Sequence, residues 1–132
     1  MLYCQYHEDK FNKHEKERHK EYKKHREDIK EQEFYKSKAW EMVKDSVLDK
    51  QNNMDVFSYY MFNKIEAAQT YHHVIEIKED WNRRLDILNI IGLTESNHRK
   101  IHYIYNKSEK DKRKIQQLLF NLIKRYYKEF GE

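Results

Sequence analysis

The sequence predicts an α+β protein, mostly helical, with a hairpin-helix core flanked by further helices. Three observations lead there. The 132 residues hold no proline and only two glycines, Gly92 and Gly131, so the usual punctuation of an all-β chain is missing. Residues 115–130 repeat apolar side chains at helical spacing, the clearest amphipathic pattern in the chain. Between about 70 and 93, two short runs rich in β-branched and aliphatic residues flank a charged loop, as a hairpin does.

Taken in order, residues 1–33 read as a polar N-terminal helical extension. Phe11, Tyr22 and Ile29 are its main apolar members, too irregularly spaced to make a stripe, and i, i+4 charge pairs would hold it. Its four histidines, His7, His14, His19 and His25, fit a solvated face better than a ligand set. Residues 34–132 form the second part. Phe34, Trp40, Val43 and Val47 mark a core-facing helix over Glu33–Leu48, with Trp40 as its anchor. Asp49–Asn53 is a polar break. Asp55 caps a further element with Phe57, Tyr60, Met61, Ile65 and Ala68, read as helix with a strand-containing hairpin as the alternative.

Thr70–Ile77 alternates and reads as a strand, Lys78–Arg83 as a loop, and Leu85–Leu93 as the return run containing Asn89. Thr94 caps the next helix, and the core spans about 70–105. Ser108 caps a last helix of about 108–130, whose Ile115, Leu118, Leu119, Leu122, Ile123, Tyr126 and Phe130 supply core or a dimer seam; Gly131 suits its end.

Composition narrows the function classes. With 38% hydrophobic and 38% charged residues, the core is small and long helical faces are solvated. The single cysteine, Cys4, excludes an internal disulfide and a cysteine-built zinc site. Net charge is only +4, but Arg99 to Lys128 carries ten cations against Glu109 and Asp111, apart from Glu129 just beyond, and makes a basic end suited to nucleic acid. No apolar run reaches membrane-spanning length and no signal-peptide pattern opens the chain, so a soluble cytoplasmic protein without a membrane partner is expected.

The chemistry gathers in Tyr71–His102, YHHVIEIKEDWNRRLDILNIIGLTESNHRKIH. His98 and His102 at i, i+4 share one helix face, so both imidazoles can grip one metal ion if a third ligand arrives from elsewhere. His72 or His73 can be that ligand, leaving the other beside the metal as a base. A His-His pair says little alone, and H-x-x-x-H arises by chance on charged helices. Arg84, Arg99 and Lys100, close by in sequence, are candidate phosphate contacts.

From Phe34 to His102 the chain resembles the HNH nucleases of the ββα-metal superfamily, in particular small phage-encoded members. The resemblance rests on the HHVIEI, RLD, Asn89 and H-x-x-x-H elements, with FYKSKAW, Phe34–Trp40, similar to their entry segment. It implies that His73 is the catalytic base, Asn89 the residue tying down its loop, and His72, His98 and His102 the ligands of one divalent ion, with Mg, Mn, Ni and Zn left open. Relatives usually carry two Cys-x-x-Cys knuckles for a structural zinc. The matching positions here are Ser58 with Met61 and Thr94 with Asn97, so no structural zinc is expected, and apolar packing from Phe57, Tyr60, Met61 and the last helix is expected in its place. Glu76 stands where relatives often have proline, and it either reshapes the loop or adds a carboxylate near the metal.

The implied function is a metal-dependent DNA endonuclease, phage-encoded and working in the host cytoplasm. The resemblance also implies a role with the phage packaging terminase. One site makes one cut per strand, so a double-strand break calls for a homodimer or two visits. The competing reading is an HNH-like module that has lost cutting and serves as a DNA-binding or protein-binding regulator.

Overall fold

The computed structural model describes residues 2–131, with side chains from residue 13 onward apart from His14. Cys4, His7, Phe11 and His14, singled out above, lie outside the described side chains. The chain divides into two compact units, Met1–Lys36 and Ser37–Glu132.

The first unit is one helix, α1 (Leu2–Tyr35). It runs two residues beyond the expected boundary at 33. Tyr22 and Ile29 are exposed, as are His19 and His25, in keeping with the lack of an apolar stripe. Local contacts hold its surface: Arg18 pairs with Glu15, and Arg26 lies 5.6 Å over the Tyr22 ring.

In the second unit each helix starts where a side-chain oxygen can cap it. Ser37 Oγ accepts from Trp40 N at 3.1 Å and opens α2 (Lys38–Lys50). The helix expected over Glu33–Leu48 is thus split, because Ser37 takes extended geometry (φ −76°, ψ 153°) and restarts the chain. Asp55 opens α3 (Val56–Met61), Thr94 opens α4 (Glu95–Tyr105) and Ser108 opens α5 (Glu109–Phe130). The element after Asp55 is therefore a helix rather than a hairpin, but a short one. It stops at Phe62, and Asn63 follows with φ 53°.

The sheet is a single antiparallel pair, β1 (Thr70–His73) with β2 (Ile90–Leu93), in register His72 opposite Ile91 and His73 opposite Ile90. Both strands are shorter than the runs Thr70–Ile77 and Leu85–Leu93. The cause is Asn89, whose carboxamide takes both polar groups of Ile75 and ends the ladder, while residues 81–83 and 87–89 wind into 3-10 turns. The outer edge of β2 is closed by a side chain. Gln51 Nε2 donates to Ile90 O and its Oε1 accepts from Gly92 N, both at 2.9 Å, imitating a third strand. Gly92 is required there: a Cβ would meet Ala68 Cβ at 2.9 Å.

One core joins these elements. Val74, Ile91 and Leu93 pack from the hairpin, Ile101 and Tyr105 from α4, and Leu119, Leu122, Ile123 and Tyr126 from α5. The α5 stripe packs inside the chain as core, with Phe130, at its end, half exposed. Gly131 ends α5 as expected, though in extended rather than left-handed geometry, with φ −85°. No helix among the described residues is long and apolar enough to cross a membrane.

The junction of α3 with α4 differs from expectation. Phe57 is buried and Tyr60 packs on the core, but Met61 is 47% exposed. A polar network fills the junction instead. The buried Asp55 carboxylate accepts from Ser58 N at 2.8 Å, Thr94 N at 2.6 Å and Asn97 Nδ2 at 2.8 Å. Asn97 Nδ2 also reaches Ser58 Oγ at 2.7 Å, and Ser58 Oγ donates to Glu66 at 2.9 Å. Three of the four positions compared with knuckle cysteines thus meet one carboxylate, and hydrogen bonds fasten the first turn of α4 to α3.

Candidate functional site

Successive residues of a strand point to opposite sides, so β1 sends His72 and His73 apart. His72 turns toward α4. There His98 and His102, one turn apart, bring their rings within 4.4 Å of each other and 5.3 and 5.5 Å of the His72 ring. One nitrogen from each of the three lies within 4.8 Å of the others, a group able to hold a metal ion among the described residues. Nitrogens around a tetrahedral ion sit about 3.4 Å apart. Small side-chain adjustments would therefore close the set on one cation.

The electrostatics suit ligands. His72 is 5% exposed, and burial, reinforced by the charges His98, His102 and His73 would carry, pushes its pKa down to about 3. Burial and His102 lower His98 as well, with Glu95 opposing. Neutral imidazoles are the form that coordinates metal. Behind His72 stands Tyr105, whose hydroxyl lies 3.1 Å from His72 Nε2 and donates to Val74 O. Burial raises the Tyr105 pKa above the ordinary phenol range. Nothing in the sequence reading marked Tyr105; its place three residues after His102, on the same helix face, was the available signal.

His73 points the other way. It is 4% exposed, its ring lies 5.0 Å from that of Trp40, and its Nε2 is 2.8 Å from Arg84 O. A carbonyl only accepts, so Nε2 carries the hydrogen and the lone pair of the neutral ring is on Nδ1. Asn89 is fully buried below this loop. It accepts from Ile75 N at 2.8 Å and donates to Ile75 O at 3.0 Å and Arg83 O at 3.3 Å. It touches the carbonyl next to the one that holds His73, so it braces the backbone of that loop.

The remaining candidates divide. Arg84 lies in the loop that carries the His73 acceptor, with its guanidinium 4.6 Å over Trp81. Arg99 is exposed beside the histidine face of α4. Lys100 is not brought to the cluster: at about 100° per residue it falls on the far side of α4 from His98 and His102, 5.5 Å over the Phe62 ring. Glu76 is absent from the metal-binding group and pairs with Lys112 of α5 at 3.4 Å, so it braces the loop. Lys112 and Arg113 both also meet Glu79, so part of the basic end is matched within the chain.

The chain aligns with the crystal structure of the HNH endonuclease of the deep-sea thermophilic bacteriophage GVE2, solved with manganese ion, at 31% identity and a TM-score of 0.59, over 64% of this chain and 90% of that one. The chain belongs to the HNH endonuclease family. No protein-family model and no curated protein matches it. The HNH assignment agrees with the α+β, mostly helical architecture and with a histidine group built on the hairpin and the helix after it.

Proposed function

We propose that this HNH protein is a metal-dependent DNA endonuclease that hydrolyses phosphodiester bonds and is phage-encoded. The observation that carries the reading is the convergence of His72, His98 and His102 on one point, with His73 on the adjacent strand position and its Nε2 fixed. Likeness to a manganese-bound phage HNH endonuclease supports it. The all-imidazole donor set suits Zn or Ni better than Mg, which prefers oxygen. When bound, a divalent ion would supply Lewis-acid polarisation of the scissile phosphate and charge stabilisation for the leaving 3′ oxygen.

The chain's own residues supply the rest. His72, His98 and His102 orient three ring nitrogens toward one point. His73, its ring held by the hydrogen bond from Nε2 to Arg84 O, takes the proton of the attacking water. Asn89 holds the Arg83–Arg84 backbone and so the His73 ring. Arg84 and Arg99 contact DNA phosphates as salt-sensitive positioning groups. The expected partner is DNA, with a phage terminase as the protein partner that the family resemblance suggests.

One observation favours the non-cutting module: His73 is 4% exposed, so DNA binding must open water's path to it. Supercoiled plasmid incubated with protein and Mn²⁺ or Ni²⁺ decides between the two. Nicked product is expected, with cutting reduced at least 100-fold in His73→Ala, the lower end of what a general base contributes, about 10²–10⁴. DNA binding without cutting, at every metal, selects the module.

A further inference from the structure

A tyrosine hydroxyl has one proton to give and two lone pairs to accept with. Among the partners of the Tyr105 hydroxyl, which include Gln116, Val74 O and His72 Nε2 are not equivalent. Val74 O can only accept, so the Tyr105 proton is directed there. Toward His72 Nε2, 3.1 Å away, the Tyr105 oxygen must then accept, and Nε2 must hold the hydrogen. A neutral imidazole protonated at Nε2 keeps its lone pair on Nδ1.

We propose that Tyr105 is a positioning residue of the metal face, fixing His72 as the Nε2–H tautomer so that Nδ1 is presented to the cation shared with His98 and His102. The proposal rests on the reading of those three histidines as cation ligands. The arrangement is the kind in which an outer partner fixes the ring orientation and raises the basicity of a ligating histidine. Tyr105 is well placed to hold a fixed angle, being 6% exposed and packed in the core shared by the hairpin, α4 and α5. Val74 O has a second donor, Gln116 Nε2 at 3.0 Å. Replacing Tyr105 by phenylalanine therefore keeps the ring packing and leaves that carbonyl paired with Gln116, while removing the hydroxyl's contacts, the link to His72 among them.

Two measurements on the metal-free and Mn²⁺-titrated protein test this without relying on cutting. Long-range ¹H–¹⁵N correlation spectra read which nitrogen of His72 is protonated, and calorimetry reads Mn²⁺ affinity. The wild type should show His72 with its proton on Nε2. Tyr105→Phe should lose that single tautomer and bind Mn²⁺ about 10- to 100-fold more weakly, the usual cost of removing an outer partner. A wild-type His72 protonated on Nδ1 overturns the proposal with no variant needed. A Tyr105→Phe protein with an unchanged tautomer overturns it whatever its affinity. If the wild type takes up no Mn²⁺, the ligand reading fails instead, and the tautomer spectra alone still decide the role of Tyr105.

Discussion

His72 and His73 are neighbours on β1 and almost equally buried, at 5% and 4% exposure, yet their surroundings have nothing in common. One ring faces two further histidines and a tyrosine hydroxyl, and the other faces Trp40 and a backbone carbonyl. Equal burial is therefore compatible with two different settings, the proposed ligand on one face and the proposed base on the other. What each ring meets differs: His72, kept neutral first by burial and then by its histidine neighbours, faces His98, His102 and Tyr105, while a carbonyl fixes the proton of His73 on Nε2. A two-stranded sheet gives this separation at no structural cost, because its pleat sends alternate residues to opposite faces.

The largest expected effects set one face against the other. His72→Ala should abolish Mn²⁺ uptake and cutting together, whereas His73→Ala should bind Mn²⁺ normally and cut at least 100-fold more slowly. Calorimetry beside plasmid nicking reads both. If the two variants lose metal equally, the faces do not have separate jobs.

Each face also has its own anchor, and the next effects are on stability. Asp55→Ala leaves Ser58 N, Thr94 N and Asn97 Nδ2 without their acceptor at the start of α4, a loss of about 3 kcal/mol or more. Asn89→Ala frees the polar groups of Ile75 and the carbonyl of Arg83, costing about 2 kcal/mol. Urea unfolding measures both. The pairing of anchor with face predicts that Asn89→Ala, if still folded, spares Mn²⁺ affinity while slowing cutting; weakened Mn²⁺ binding would contradict it.

How much of this could be read beforehand follows from the kind of interaction. The caps at Asp55, Thr94 and Ser108, the α5 stripe and the spacing of His98 and His102 are local patterns, and local patterns are visible in a sequence. The short strands were not visible, because the ladder is ended by Asn89, a side chain fourteen residues from the Ile75 it captures. Gln51, inside what reads as a polar break, closes the edge of a strand about forty residues away. Met61 has an apolar residue's identity but an exposed position, and the polar residues Asp55, Ser58 and Asn97 take the buried one. Long-range polar pairing has no period, so composition and spacing cannot announce it.

Acid should act mainly through the metal face. Consider the metal-free protein between pH 6.5, the ordinary histidine value, and the folded His72 value of about 3. Within that window the unfolded chain binds a proton at His72 that the folded chain does not, so stability falls as pH falls. This group contributes at most about 1.4 kcal/mol per pH unit, and the lowered His98 adds the same sign. Above pH 6.5 neither state is protonated there and the contribution is flat. Urea midpoints at pH 7 and pH 5 should differ in the wild type and differ less in His72→Gln, where the lowered His98 remains; an equal difference in the two proteins would place the acid sensitivity elsewhere.

The smallest effect expected concerns the proposed DNA contacts around α4, and it carries the same geometric logic to the outer surface. Arg99 borders the histidine face, whereas Lys100 lies across the helix from it, over Phe62. A phosphate contact contributes about 0.9 to the slope of log affinity against log salt. Arg99→Ala should therefore flatten the salt dependence of binding to a short duplex by about that amount, and Arg84→Ala should do the same from the loop side. Lys100→Ala should leave the slope unchanged, since a backbone running across the histidine face passes the other side of α4. If Lys100→Ala flattens the slope and Arg99→Ala does not, DNA approaches along the α3 side of α4 instead, and the phosphate being cut would have to reach the histidines around the end of that helix.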